Sequence, residues 1–244
     1  MVEAQSYSYR NIYLRREDLN CFIDGNQLND ICISFYYEFL FNKEKYSTIK
    51  QDVLLLDPAV VINIYFDDCI EDLFYMLSPL DMKSKKYIFL PINDSNDRFQ
   101  IGGGMHWALM VYSVQEDKYF YIDSTSSTIK HIHTISQKLK KIVNFAESNK
   151  NTEEKTIDEK NKGSSHMSST IELSTVLTGI QRNSYDCGMY ALCFTEVLLD
   201  RLVESKGRLS TKEEELKEVV LNVSQKGMSL KRKAIYDTIL GFKV

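Results

Sequence analysis

The sequence predicts an α+β protein folded as a single domain. Helix-type apolar patterns fill roughly the first eighty residues, strand-type runs follow to about residue 123, and helix-type patterns return toward the C-terminus. Only three prolines and ten glycines interrupt 244 residues, and a 43% hydrophobic content supplies one sizeable core.

Taken in order, the first elements are a short helical turn at Arg16–Asn20 and a turn at Gly25. A helix follows from Ile31 to about Phe41, with Asn29 or Asp30 accepting from its free first-turn N–H groups. Its residues leave almost no polar face, so it is buried on most sides. Asp57-Pro58 pairs an acceptor side chain with a preset φ and starts a helix to Phe66. A second helix fits Asp68 to Leu77 and ends at Pro79. Tyr87–Leu90 reads as a strand bounded by Pro91 and the turn-rich Asn93–Asn96. After Gly102-Gly103-Gly104, the run His106–Val114, the turn Gln115–Lys118 and the run Tyr119–Asp123 make a β-hairpin.

Ser136–Phe145 has a helical pattern. The stretch 147–170 holds only Ile157 and Met167 as apolar residues, too little to offset ordering entropy, and is expected to be a disordered insertion inside a domain spanning 1–244. A strand at Ile171–Val176 and a helix from Cys187 through Leu202 follow. A capping box at Ser210–Glu213 announces one further helix, and Ser229–Leu240 forms the last. The basic run Lys231–Lys233 is read as a solvated face of that helix.

Thirty Lys plus Arg against thirty-four Asp plus Glu give a net charge of −4, which leaves no footprint for nucleic acid or an anionic membrane. The N-terminal residues lack a basic-then-apolar secretory layout, and no apolar run reaches the ~18 residues of a membrane span. Five cysteines at irregular spacing, without a CxxC pair, fit neither a disulfide framework nor a structural zinc site. The expectation is a soluble protein with reduced thiols, in cytoplasm or nucleus.

Cys187 is the leading candidate for chemistry. By residue type alone a cysteine is most often a buried structural thiol, and Cys21, Cys32, Cys69 and Cys193 are left so. Cys187 instead falls where a loop meets a helix N-terminus, where orphan N–H groups and the helix dipole favour a thiolate. Gly188 after it keeps the surroundings uncrowded. His106 opens a strand behind a glycine run, and the hairpin brings Asp123 beside it, so that a carboxylate can fix the imidazole and stabilise its charged form. Gln181, six residues before Cys187, has an amide that can donate to a developing oxyanion together with the Cys187 N–H; alone it would be a solvated loop amide. Trp107 faces away from His106 by strand alternation, which favours a core position over a channel wall. His131 and His133 have no neighbouring Cys or acid cluster, which argues against a metal site.

Together these stretches resemble the sentrin-specific protease family, cysteine proteases that cut ubiquitin-like modifiers, and in detail its deneddylase type. The matching residues are Leu28-Asn29-Asp30, FLPIND at Phe89–Asp94, GGGMHWALMVY at Gly102–Tyr112, YIDS at Tyr121–Ser124 and QRNSYDCGMYALCFTE at Gln181–Glu196. The resemblance covers roughly Asn11 to Leu202. It implies a papain-like core with a central mixed sheet flanked by helices. It also implies hydrolysis after a Gly-Gly C-terminus, with Cys187 as nucleophile, His106 as base and acid, Asp123 as its orienter and Gln181 as oxyanion donor. No metal or organic cofactor is implied.

By the same resemblance the Gly-Gly tail enters a narrow aromatic tunnel with Trp107 as one wall. The position before Leu28, usually Trp in the family, is Gln27 here, and a flat amide in place of a ring is expected to hold the tail less tightly. Asp30 and Asn93 match positions that meet the modifier just upstream of Gly-Gly. Without the resemblance they read as a helix cap and a turn residue. The implied partner is the cullin modifier Nedd and its lysine-linked conjugates, with SUMO second. A non-catalytic modifier-binding module and a Cys-dependent acyltransferase are the competing readings of another class.

Overall fold

The computed structural model describes residues 6–97, 103–153 and 170–243. An N-terminal hairpin of β1 (Ser6–Tyr9) and β2 (Ile12–Arg15) leads into α1 (Arg16–Asn20) and α2 (Asp30–Phe41). Then come β3 (Val53–Leu55), α3 (Pro58–Phe66), α4 (Ile70–Leu77), β4 (Tyr87–Asn93), β5 (Trp107–Ser113) and β6 (Lys118–Asp123). The chain closes with α5 (Ile132–Glu153), β7 (Glu172–Leu177), α6 (Cys187–Glu204), α7 (Glu213–Leu221) and α8 (Met228–Leu240).

Strands β3 to β7 form one mixed sheet in sequence order, parallel at β3–β4 and β6–β7 and antiparallel between. Side chains alternate across it. Phe89, Leu109, Val111, Phe120 and Ile122 enter a core shared with α2, α6, α7 and α8. Leu90, Ala108, Met110, Tyr119 and Tyr121 enter a second core under α3, α4 and α5. With both faces covered, the central strands are apolar along their whole length, which is why their composition was so clear. The α+β class and the mixed sheet between helices are as expected.

The local start signals act as the chemistry requires. Asn29 Oδ1 accepts from Cys32 N (3.0 Å), so Asn29 rather than Asp30 caps α2, and Asp57 Oδ1 accepts from Ala59 N (2.8 Å) at α3.

Several boundaries differ from the sequence reading. The hairpin β1–β2 and the three-residue β3 were not anticipated. β4 runs through Pro91 to Asn93, because β3 pairs only as far as Phe89 and the proline lies where β4 has become an edge. α5 starts at Ile132, the first residue of the buried stripe Ile132, Ile135, Leu139, Ile142. It continues to Glu153, so the first seven residues of the expected disordered insertion, 147–153, are helical; 154–169 lie outside the described residues. The capping box at Ser210–Glu213 does not form. α7 begins after Lys212 without a side-chain cap, and the Ser210 hydroxyl accepts from Lys212 N (3.1 Å); the acids Glu213, Glu214 and Glu215 complement the helix dipole instead.

Candidate active site

Sheet register assembles the first pair. Leu109 lies opposite Ile122, which sets Asp123 opposite Ala108 and makes His106 its diagonal neighbour on the same face. His106 Nε2 is 2.8 Å from Asp123 Oδ2. That oxygen also accepts from the Tyr121 hydroxyl (2.6 Å), while Oδ1 accepts from Thr125 N (2.8 Å) and Thr125 Oγ1 (2.9 Å). Burial of Asp123 opposes its charge, yet the His106 and Tyr121 hydrogen bonds outweigh burial and hold its carboxyl below the usual range. Burial likewise pulls His106 down, but the hydrogen bond its ring donates to Asp123, with the influence of Cys187 and the charges of both, pushes it up to about 10.

Cys187 is the first residue of α6 and is 1% exposed. Its thiol lies 4.0 Å from Met105 O, the carbonyl of the residue before His106, and is among the groups that push the imidazole up. With Nε2 on Asp123, Nδ1 is the ring nitrogen left for the sulfur. An arrangement of this kind allows an imidazole to take a thiol proton while a carboxylate orients the ring.

The preceding loop is built on itself. Asn183 Oδ1 accepts from Tyr185 N (3.2 Å) and Asp186 N (3.0 Å). Gln181 Oε1 accepts from the Ser124 hydroxyl (2.6 Å), and its Nε2 donates one proton to Asn183 O (2.6 Å). Ser124 thus fixes Gln181 from the residue beside Asp123. The amide keeps a second N–H to give.

Trp107 is buried, and its indole Nε1 donates to Leu28 O (2.9 Å). Leu28 in turn lies so close to Gly188 that a Cβ there would sit 2.9 Å from Leu28 Cβ. Gly188 is small to admit Leu28, a different reason from the one its place after the cysteine suggested. Gln27 Nε2 donates to Met105 O and to Ser184 O, both at 3.0 Å, and so ties the strand-entry loop to the nucleophile loop. Asn93 pairs with Trp107 across β4–β5, and its Oδ1 accepts from Ser95 N (2.9 Å). Asp30 lies in the first turn of α2, where desolvation and the neighbouring Asp57 hold its carboxyl above the usual range.

Three contributors escaped the sequence reading. Asp94 Oδ1 accepts from Met105 N (2.6 Å) and His106 N (2.9 Å) and sets the backbone entering β5. Tyr121 buttresses Asp123. The third corrects the reading of Lys231–Lys233: Arg232 is 1% exposed and paired with Asp186, the residue before Cys187. The signal was available, since Met228, Arg232, Ile235 and Ile239 share the buried stripe of α8. Among the described residues no group of three or more His, Cys, Asp or Glu is placed to hold a metal, and His131 Nε2 lies 2.8 Å from Asn93 O.

Residues 26–232 match the family model described as the Ulp1 protease family, C-terminal catalytic domain. The chain belongs to the Ulp1 protease family. It is 31% identical over 209 residues to the probable sentrin-specific protease 8 of Dictyostelium discoideum, covering 84% of this chain and 79% of the relative. Sentrin-specific protease 8 of Rattus norvegicus is 31% identical over 196 residues, with 80% and 79% covered. NEDD8-specific protease 1 of Arabidopsis thaliana is 26% identical over 193 residues, with 79% and 74% covered. The crystal structure of a de-sumoylating protease superposes with a TM-score of 0.64 at 17% identity, covering 98% of this chain and 90% of that one, and shares the fold. Membership in the Ulp1 protease family makes this chain a cysteine protease specific for ubiquitin-like modifiers. Among the described residues no helix is long and apolar enough to cross a membrane.

Proposed function

We propose that this protease hydrolyses the bond after the C-terminal Gly-Gly of a NEDD8-type modifier, releasing it from lysine conjugates such as cullins and from its precursor. The observation that carries the reading is the 2.8 Å contact of His106 with Asp123 beside the Cys187 thiol at the head of α6. The relatives named for NEDD8 direct the choice of modifier. The reading includes a reducing compartment, cytoplasm or nucleus, in keeping with the free cysteines among the described residues.

In this mechanism His106 takes the thiol proton, and the Cys187 sulfur attacks the terminal glycine carbonyl. The imidazolium so formed is stabilised by Asp123. The oxyanion is met by the Cys187 N–H and the second N–H of Gln181, a donor of a kind worth about 2.7–4 kcal/mol in the transition state. Collapse breaks the C–N bond, His106 protonates the leaving amine, and a thioester remains. Water deprotonated by His106 then attacks the thioester and regenerates the thiol. Trp107 and Leu28 wall the path of the tail, Gln27 sets its width, and Asp30 and Asn93 receive the residues upstream of Gly-Gly.

The test is cleavage of C-terminal fluorogenic NEDD8, SUMO and ubiquitin by wild type and Cys187→Ala. Preference for NEDD8, abolished in the variant with modifier binding kept, is expected. Preference for SUMO would overturn the choice of modifier, and turnover by Cys187→Ala would overturn the chemistry.

A further inference from the structure

A cavity of about 240 Å³ opens beside His106, and none of Gln27, Trp107 and Cys187 lines it. Its walls are Asp94 and Asn96 after β4 and Ser127 to His131 from the connection between β6 and α5. These walls are tied to the acid of the catalytic pair. Thr125 Oγ1 donates to Asp123 Oδ1 and lies 2.8 Å from Ser127 Oγ, while Ile129 N donates to the Tyr121 hydroxyl (3.1 Å), which itself donates to Asp123. His131 stacks on Tyr65 with ring centroids 4.2 Å apart. The cavity is therefore preformed by the same contacts that orient His106.

The place of this cavity follows from the proton path. In the proposed reaction the leaving amine departs within hydrogen-bond reach of His106. The chain that carries the amine must run past His106 on the side not occupied by the modifier tail. The cavity bounded by His106 but not by the tail-side residues is the space it meets. Asp94 Oδ1 is already engaged by two backbone N–H groups, and His131 Nε2 by Asn93 O. Among the described residues that line it, Lys130, exposed on the rim beside the exposed hydroxyls of Ser127 and Thr128, is the permanent cation.

We propose that this cavity is a leaving-side subsite that takes an acidic residue flanking the acceptor lysine of the conjugate, with Lys130 as its ionic partner. The inference rests on the isopeptidase reading and deepens it. Its volume suits one or two residues of a flexible segment rather than a folded surface. An exposed ion pair is weak, so the expected discrimination is modest, about fivefold at most, and falls with salt.

The experiment uses NEDD8 joined through its C-terminus to the lysine of two synthetic peptides, one with Glu and one with Lys beside the acceptor, and a fluorogenic NEDD8 whose leaving group is a small aromatic amine. Wild type is expected to cut the Glu peptide several-fold faster in kcat/KM, and Lys130→Glu to reverse that order while cutting the fluorogenic substrate as wild type does. Equal rates on the two peptides in wild type, or a preference that survives Lys130→Glu, would overturn the proposal. Failure on the fluorogenic substrate itself would instead count against the deneddylase reading.

Discussion

Arg232 and Asp186, forty-six residues apart, form a buried ion pair directly behind the nucleophile: Nε and Nη2 of the guanidinium both lie 2.8 Å from Asp186 Oδ1. Asp186 Oδ2 is filled by Asn183 Nδ2 and Gln225 Nε2, each at 2.7 Å, and Arg232 Nη1 donates to Cys21 O (2.8 Å). Both charges are satisfied, and α8 is pinned to the loop that carries Gln181 and leads into Cys187 at the head of α6. Removing one partner strands the other in a dry site. Arg232→Met is therefore expected to lower unfolding free energy by roughly 3–5 kcal/mol, read as a shift in the urea midpoint. Arg232→Lys, which keeps the charge but not the fork, should fall between. A midpoint unchanged in Arg232→Met would show that the pair does not hold the loop.

The His106–Asp123 contact ties stability to pH. An imidazole raised to about 10 from its ordinary ~6.5 binds its proton more tightly in the folded state. The stabilisation is fully present below pH ~6.5 and is lost as pH rises through about 10, on the order of a few kcal/mol. Asp123, held low by the same contact, adds no second increment in that window; its part is lost as pH falls through its depressed range. Denaturant midpoints measured from pH 6 to 10 should decline in wild type and run flatter in Asp123→Asn. The same variant should lose about 10³–10⁴-fold in kcat, because the imidazole loses its orienter.

Much of this was legible in the sequence because the relevant signals are local. Asn29 and Asp57 start helices through their own side chains, and the β5–β6 hairpin placed His106 and Asp123 together by alternation alone. What was hidden depends on partners distant along the chain. β3 is a strand only because β4 lies beside it. Arg232 looked like one member of a basic run, and only α8 packed against the nucleophile loop reveals it as buried. Gln27, read as a lost aromatic wall, acts through carbonyls 78 and 157 residues away.

Gly104 is fixed by backbone and by space together. Its φ is +87°, and a Cβ would stand 1.9 Å from Asn93 Oδ1 and 2.8 Å from Asp94 Oδ1. Gly104→Ala must push away the carboxylate that holds Met105 N and His106 N. The strained backbone alone costs on the order of 1–3 kcal/mol, which corresponds to a melting temperature about 2–12 °C lower. Activity should fall further than stability, since His106 moves with that backbone. A Gly104→Ala enzyme with wild-type kcat would show that the entry to β5 tolerates displacement.

Gln27 makes the most informative substitution site because two functions converge on it. Its Nε2 joins Met105 O, next to His106, to Ser184 O, three residues before Cys187. His106 immediately precedes β5 and Cys187 opens α6, so this amide directly links the backbone leading into each. Both carbonyls can be rehydrated when it is removed, so Gln27→Leu should cost little stability, about 1–2 kcal/mol. Reacting groups held even 1 Å off lose rate steeply, and kcat should drop by roughly tenfold or more. Gln27→Trp separates the two roles. Its ring restores a broad apolar wall for the tail and should lower KM, whereas its single N–H serves at most one carbonyl and leaves kcat depressed. Steady-state kinetics on fluorogenic NEDD8 would decide: a Gln27→Trp enzyme with unchanged KM and full kcat would mean that neither wall nor link matters at this position.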